Sequence, residues 1–84
     1  ARMMAIADIF EALTAVDRPY KKGKTLSEAL GIMIGMCNGA HVDTQLFVLF
    51  VRSGIYRDYG QLFLKPEQID EVDEQGLLAK LNDA

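Results

Sequence analysis

The chain has 84 residues, enough for one small domain that buries about 60% of the surface exposed by its unfolded form. Half of the residues are apolar, a quarter are charged and the net charge is −3, which excludes a disordered composition and disfavours general nucleic-acid binding. The single cysteine, Cys37, excludes an internal disulfide and favours a reducing, cytoplasmic setting, and no apolar run approaches the roughly 20 residues that span a bilayer.

Apolar residues at helical spacing predict a first helix of roughly four turns at the start of the chain. They recur at spacings of three, four and three: Met3, Ile6, Phe10 and Leu13. Pro19 ends this helix, because its ring disfavours helical geometry at Arg18. Residues 17–24 are therefore predicted to form a loop.

This loop is basic, whereas the C-terminal part of the chain is acidic. Its cations are Arg18, Lys21, Lys22 and Lys24. Residues 67–74 contain five acids and no basic residue. Such a small positive cluster on an acidic chain favours a small phosphorylated ligand over nucleic acid.

A capping box predicts the start of the second helix, because Thr25 and Glu28 can each satisfy a free backbone N–H of the other. Its buried stripe is predicted to be Leu26, Leu30, Met33 and Cys37. We expect the helix to stop near Cys37, with Asn38 and Gly39 supplying the left-handed conformation that commonly ends a helix.

The third helix is predicted to run from the N-cap Asp43 to about Ser53, with Gly54 as its terminator. Residues 46–51 are apolar on every face, so we expect this helix to be the most buried, although such a run is also typical of a buried strand. A fourth, shorter helix is expected to present one apolar face: Ile55, Tyr59 and Leu62, with Tyr56 and Phe63 alongside.

Pro66 suits the first turn of one more short helical segment, reaching about Val72. The prediction is thus an all-α bundle of about four to five helices. Residues 1–73 are expected to form the helical domain, and residues 74–84 a tail that is frayed or needs a partner.

Asp8 is the leading candidate for a functional residue. It lies opposite the apolar stripe of the first helix, and its helical neighbours are Glu11 and small residues: Ala5, Ala12 and Ala15. Small residues around a carboxylate allow another helix, or a metal held by another helix, to approach closely. From the spacing alone, a carboxylate on a solvated helix face is the commoner arrangement for both Asp8 and Glu11.

Two runs in this region carry a family resemblance, namely residues 7–14 (Ala-Asp-Ile-Phe-Glu-Ala-Leu-Thr) and residues 17–22 (Asp-Arg-Pro-Tyr-Lys-Lys). They resemble the last metal-binding aspartate and the phosphate-gripping loop of HD-GYP-type metal-dependent phosphohydrolases. Residues 39–43, which contain the only histidine, His41, look like the family's Gly-x-His-Phe-Asp segment. We interpret His41 as structural, fixing the turn before the third helix.

The resemblance implies the C-terminal portion of an HD-type helical domain, with Asp8 as a metal ligand and Arg18 and Lys21 as phosphate contacts. Glu11 is then a candidate to support the metal ligand. The upstream His-Asp doublet, His-His pair and Gly-Tyr-Pro motif of the family are absent from these 84 residues. We therefore expect divalent metal, iron, manganese or similar, in a longer parent protein but none bound by this chain alone.

The implied parent is a cytoplasmic bacterial signalling hydrolase, and one implied activity is that of a phosphodiesterase for a cyclic dinucleotide such as cyclic di-GMP. The implied partners are the missing N-terminal part of the same domain and a second copy of the fragment. An alternative stays open: a non-catalytic helical ligand-binding or signalling-output module whose metal site has degenerated. The isolated chain is expected to lack hydrolytic activity.

Overall fold

The computed structural model describes residues 2–16 and 22–82, and within these ranges every regular element is helical, as predicted. The α-helices are α1 (Arg2–Thr14), α2 (Leu26–Asn38), α3 (Thr44–Arg52), α4 (Ile55–Phe63) and α5 (Glu74–Leu78). A 3-10 turn at Pro66–Gln68 lies between α4 and α5. None of these helices is both long and apolar enough to cross a membrane.

Phe10 lies at the centre of the core and is completely buried. Its ring meets Phe50 of α3 and Tyr59 of α4 edge to face, with centroids 5.3 and 5.4 Å away. α1 packs on both α2 and α3, so its inner face is fixed by two neighbours. The predicted stripe of α1 is therefore the face that the fold buries, and the opposite face, which carries Asp8, is left exposed.

Most of the predicted helix boundaries are confirmed. The Thr25 hydroxyl accepts from the Glu28 backbone N–H at 3.2 Å, while the Glu28 carboxylate accepts from the Thr25 N–H at 2.9 Å. Asp43 caps α3 by accepting from the Leu46 N–H at 3.2 Å. Gly54 follows α3 with a φ of 81°, a conformation that glycine adopts without strain.

The predicted end of α2 is wrong in detail. α2 extends through Asn38, and Gly39 has a φ of −87° rather than a left-handed conformation. The left-handed residue is Ala40, with a φ of 63°. The His41 N–H donates to the carbonyl of Met36 at 2.8 Å, and this backbone hydrogen bond favours the reversal one residue later than the sequence predicts.

The prediction that α3 is the most buried helix is also wrong. Leu49 is 53% exposed, and α3 buries three residues where α2 buries six. α2 contacts α1, α3, α4 and α5, so it is surrounded by the rest of the bundle. The apolar run of α3 reflects composition, whereas burial depends on how many neighbours a helix has.

Only part of the predicted apolar face of α4 packs on the core, where Tyr59 lies against it. The buried residues of α4 are Tyr56 and Gly60, while Leu62 and Phe63 are 76% and 69% exposed. The absence of a side chain at Gly60 lets α4 approach Leu26 of α2 closely. This close approach sets the rotation of α4 and leaves the two large apolar residues outside.

Beyond α4, the helical segment that begins at Pro66 is shorter than predicted, and a separate short helix, α5, follows it. The 3-10 turn stops at Gln68, short of Val72. α5 occupies the predicted tail and packs on α2 and α3, with Leu78 and Leu81 buried. The Asn38 side chain donates to the Lys80 carbonyl at 3.1 Å and accepts from the Asn82 N–H at 2.8 Å. The division of the chain at residue 73 stays a prediction.

Candidate metal and phosphate site

The outward face of α1 presents Asp8 to solvent, with small residues on one side of it and larger residues on the other. Exposed residues one helical turn or less from Asp8 include Ala5 and Ala12 on one side and Met4 and Glu11 on the other. Residues three or four apart on a helix have Cβ atoms about 5–6 Å apart. Glu11 is therefore near enough to Asp8 for the two carboxylates to belong to one site. The face offers oxygen ligands with room for a second element above them.

Glu11 also contacts α4. Partial burial, together with the charge of the Glu11 carboxylate and a hydrogen bond to it, raises the pKa of Tyr59. Tyr59 in turn packs on Phe10, which fixes the ring against the core. The contact holds Glu11 at the junction of α1 and α4, next to the end of α1.

Arg18 and Lys21, the predicted phosphate contacts, lie outside the described residues. The two ends of their loop are described. The Lys24 N–H donates to the Leu13 carbonyl at 3.3 Å, and the Gln68 side-chain amide donates to the carbonyls of Thr14 and Lys24 at 2.8 and 3.0 Å. The two ends of the loop therefore lie next to each other.

These bonds also satisfy the C-terminal carbonyls of α1, which have no partner within the helix. The Thr14 hydroxyl, which is buried, donates to the Phe10 carbonyl at 2.8 Å. The carbonyls of Leu13 and Thr14 are bound by Lys24 and Gln68, as described above. α1 thus ends at a fixed point, and that point is where the basic loop begins.

A cleft of about 200 Å³ opens beside this point, between the end of α1 and the end of α4. Glu11, Tyr59, Phe63, Lys65 and Gln68 are among the residues that line it. Larger hollows, of about 540 and 640 Å³, lie near α5 and include Glu74 in their walls. The 640 Å³ hollow also has Glu71 and Asp73 in its wall, which disfavours a phosphate there.

Sequence reasoning missed a second polar link, between α2 and the segment before α5. The Asp70 carboxylate accepts from both the backbone N–H of Ser27, at 3.0 Å, and the Ser27 hydroxyl. Partial burial opposes ionisation of Asp70, but the hydrogen bonds from Ser27 outweigh it and lower the pKa. Ser27 and Asp70 are 43 residues apart, so no local pattern marks the pair.

A third polar group joins α4 to α5 and was also missed. The hydroxyl of Tyr56, a completely buried residue, donates to the Glu74 carboxylate at 2.6 Å, and Arg57 pairs with the same carboxylate at 2.8 Å. Burial, followed by the hydrogen bond to Glu74, raises the pKa of Tyr56. These contacts hold α5 on the bundle.

His41 and Cys37 lie away from the Asp8 face. His41 is exposed in the turn between α2 and α3, where its ring lies close to Gly39. Cys37 is buried, and burial raises the pKa of its thiol. In the described ranges, no three His, Cys, Asp or Glu residues come close enough together to hold a metal ion. Among the described residues, Asp8 therefore has no neighbouring set of ligands that would complete a metal centre.

Comparisons with known proteins show the family to which the chain belongs. The model of the HD domain family matches residues 1–46, which include α1, the basic loop and α2. The chain belongs to the HD domain family. The resemblance to HD-type phosphohydrolases inferred from residues 7–22 is confirmed at this level.

Two curated relatives are phosphodiesterases. The chain is 49% identical to a cyclic di-GMP phosphodiesterase of Pseudomonas aeruginosa over 76 residues, which are 89% of this chain and 18% of the relative. It is 39% identical to a 3′3′-cGAMP-specific phosphodiesterase of Vibrio cholerae over 62 residues, 74% of this chain and 14% of the relative. The chain thus spans less than a fifth of either protein. No solved structure matches it.

Proposed function

We propose that this chain supplies one metal ligand and one phosphate-binding loop to a metal-dependent phosphohydrolase that acts on a cyclic dinucleotide. The observation that carries the proposal is the exposed Asp8 beside Ala5 and Ala12 on the outward face of α1, within the segment that matches the HD domain. The names of the two relatives support a cyclic dinucleotide as the substrate class.

Asp8 is the proposed metal ligand, because carboxylate oxygens suit divalent ions such as manganese and iron. Bound metal would supply Lewis-acid activation of water and neutralise charge on the phosphoryl oxygens. Glu11, held beside Tyr59, is proposed to orient the metal site by hydrogen bonding rather than to bind metal itself. A complete centre needs further ligands, which we place in a preceding part of a longer protein.

Arg18 and Lys21 are proposed to hold the phosphates. The guanidinium of arginine binds two phosphate oxygens at once through its planar fork, and the ammonium of lysine adds a compact charge. The fixed end of α1 supports this role, because the loop with these cations begins within one helical turn of Glu11. Both cations would neutralise charge without contacting the metal.

The test compares Arg18→Ala with Lys22→Ala in the longer protein, using cyclic di-GMP as substrate. We expect Arg18→Ala to raise KM by about 10- to 100-fold with a smaller change in kcat, as for loss of a charge-assisted hydrogen bond of about 1.5–3 kcal/mol. Lys22→Ala removes an exposed cation from the same loop and is expected to change KM by less than about threefold. Equal effects of the two substitutions would refute the assignment of Arg18.

The same assay decides between the proposal and a non-catalytic module. Metal-loaded longer protein is expected to hydrolyse cyclic di-GMP to a linear product. Tight binding of cyclic di-GMP without any turnover would instead support a ligand-binding or signalling-output role.

A further inference from the structure

Gln68 is a buried polar residue in a short surface turn, and its whole amide is used in backbone contacts. The residue is 4% exposed. Its Nε2 donates to the carbonyls of Thr14 and Lys24 at 2.8 and 3.0 Å, and its Oε1 accepts from the Lys65 N–H at 3.2 Å. Glutamine is rarely fully buried, so this arrangement needs a reason beyond filling space.

The two carbonyls bound by Nε2 belong to opposite ends of one loop. Thr14 is the last residue of α1, and Lys24 precedes the N-cap of α2. The Gln68 side chain, 54 residues from Thr14 along the chain, therefore closes the base of the 15–24 connection together with the hydrogen bond from the Lys24 N–H to the Leu13 carbonyl. Gly23 is packed so closely there that a Cβ would overlap both Gln68 Nε2 and the Thr14 carbonyl.

The chemistry of this link is specific to an amide. Only a primary amide of this length offers two N–H donors to two carbonyls and an acceptor to a third group. A carboxylate at the same place would bring its charge against two carbonyl oxygens. A thioether would fill the volume without any hydrogen bond, and the carbonyls of Thr14 and Lys24 would lose the Gln68 donor.

We propose that Gln68 is a positioning residue for the loop between α1 and α2, and that it acts on substrate binding through that loop. The inference rests on the proposed function, in which Arg18 and Lys21 hold the phosphates. Fixing both loop ends before binding lowers the entropy cost of presenting the two cations, so the benefit should appear in substrate affinity.

The first test uses the 84-residue chain and measures how readily the ends of the loop open to a protease. Trypsin cleavage after Lys22 is compared with cleavage after Arg52 in α3, for wild type, Gln68→Met and Gln61→Met. Gln61 is exposed on α4 and serves as the matched control. We expect Gln68→Met to raise the ratio of Lys22 to Arg52 cleavage about tenfold, because two hydrogen bonds that oppose local opening are lost. An equal rise at both sites would mean global destabilisation and would overturn the proposal.

The second test measures KM and kcat for cyclic di-GMP in the longer protein. Gln68→Met is expected to raise KM about fivefold or more and to change kcat less than about twofold, whereas Gln61→Met changes neither. If Arg18→Ala raises KM and Gln68→Met does not, the positioning role is overturned and the proposed function stands. If neither raises KM, the phosphate role of the loop fails, and this inference fails with it.

Discussion

Single residues determine how the basic loop meets the helices. Thr14 and Lys24 present carbonyls to one glutamine, and Gly23 leaves the space that this glutamine occupies. Arg18 and Lys21, the loop residues that are proposed to bind phosphate, are recognisable in the sequence from their motif. The residues that anchor the loop are not recognisable in the sequence, because they come together only in the folded chain.

Gly23→Ala is expected to destabilise the fold by about 1–3 kcal/mol, as overpacking of a close contact does. The added methyl group would overlap the Thr14 carbonyl, a backbone atom that cannot move aside without disturbing the end of α1. Urea unfolding followed by circular dichroism gives the change in the free energy of unfolding.

Gly31→Ala is the matched control for this substitution. Nothing lies within 4 Å of a Cβ built at Gly31, which is exposed in the middle of α2. Alanine should therefore stabilise the helix there by up to about 1 kcal/mol. A Gly23→Ala variant as stable as Gly31→Ala would show that the loop base is not packed as described.

At the scale of elements, local patterns predicted where helices begin and end better than which faces they bury. The capping box of α2, the Asp43 cap and the Gly54 terminator are short-range features, and all three are confirmed. The face of α4 depends on Gly60 meeting Leu26, which lies 34 positions earlier in the chain, and no periodicity within α4 contains that information. The packing of α5 likewise involves partners that are distant in sequence, in α2 and α3.

Asp70 links two elements, and its ionisation should make their attachment sensitive to pH. The pKa of Asp70 is lowered from its ordinary value of 3.8, so its ionised form stabilises the fold above that pH. This contribution is lost as the pH falls through the lower, folded-state pKa. The segment before α5 should then be held less firmly on Ser27.

Asp70→Asn is expected to cost about 1 kcal/mol of unfolding free energy at pH 6, through weaker hydrogen bonds from Ser27. The difference from wild type should shrink between pH 4 and pH 2 as Asp70 itself becomes protonated. Asp58→Asn, an exposed acid on α4, controls for the general effect of removing one charge. A difference that stays constant from pH 6 to pH 2 would contradict the role given to the ionised carboxylate.

For the molecule as a whole, the all-α class and the membership of the HD domain family follow from the sequence, but the exposed apolar surface does not. Met4, Leu62 and Phe63 are each more than 65% exposed, and Met4 shares the outward face of α1 with Asp8. Sequence periodicity placed Leu62 on an apolar face of the fourth helix, with Phe63 alongside, but did not predict that both would be exposed. Their exposure supports the expectation that another polypeptide covers part of this surface.

We predict that the 84-residue chain self-associates, with a second copy covering the exposed apolar residues. Sedimentation equilibrium should show an average mass above that of the 9.3 kDa monomer, rising with concentration. Replacing both Leu62 and Phe63 with serine should shift this rise to higher concentration without loss of helix, because neither side chain is in the core. A chain that stays monomeric at high concentration would contradict this prediction.

The assignment of Asp8 as a metal ligand is the central claim, and metal content of the longer protein tests it most directly. Wild type, Asp8→Ala, Asp58→Ala and Arg18→Ala would be purified in parallel, and bound iron and manganese measured by mass spectrometry. The account predicts that Asp8→Ala loses at least half of the bound metal, while Asp58→Ala and Arg18→Ala retain the wild-type amount, because only Asp8 is proposed to bind metal. Equal metal content in wild type and Asp8→Ala would contradict it.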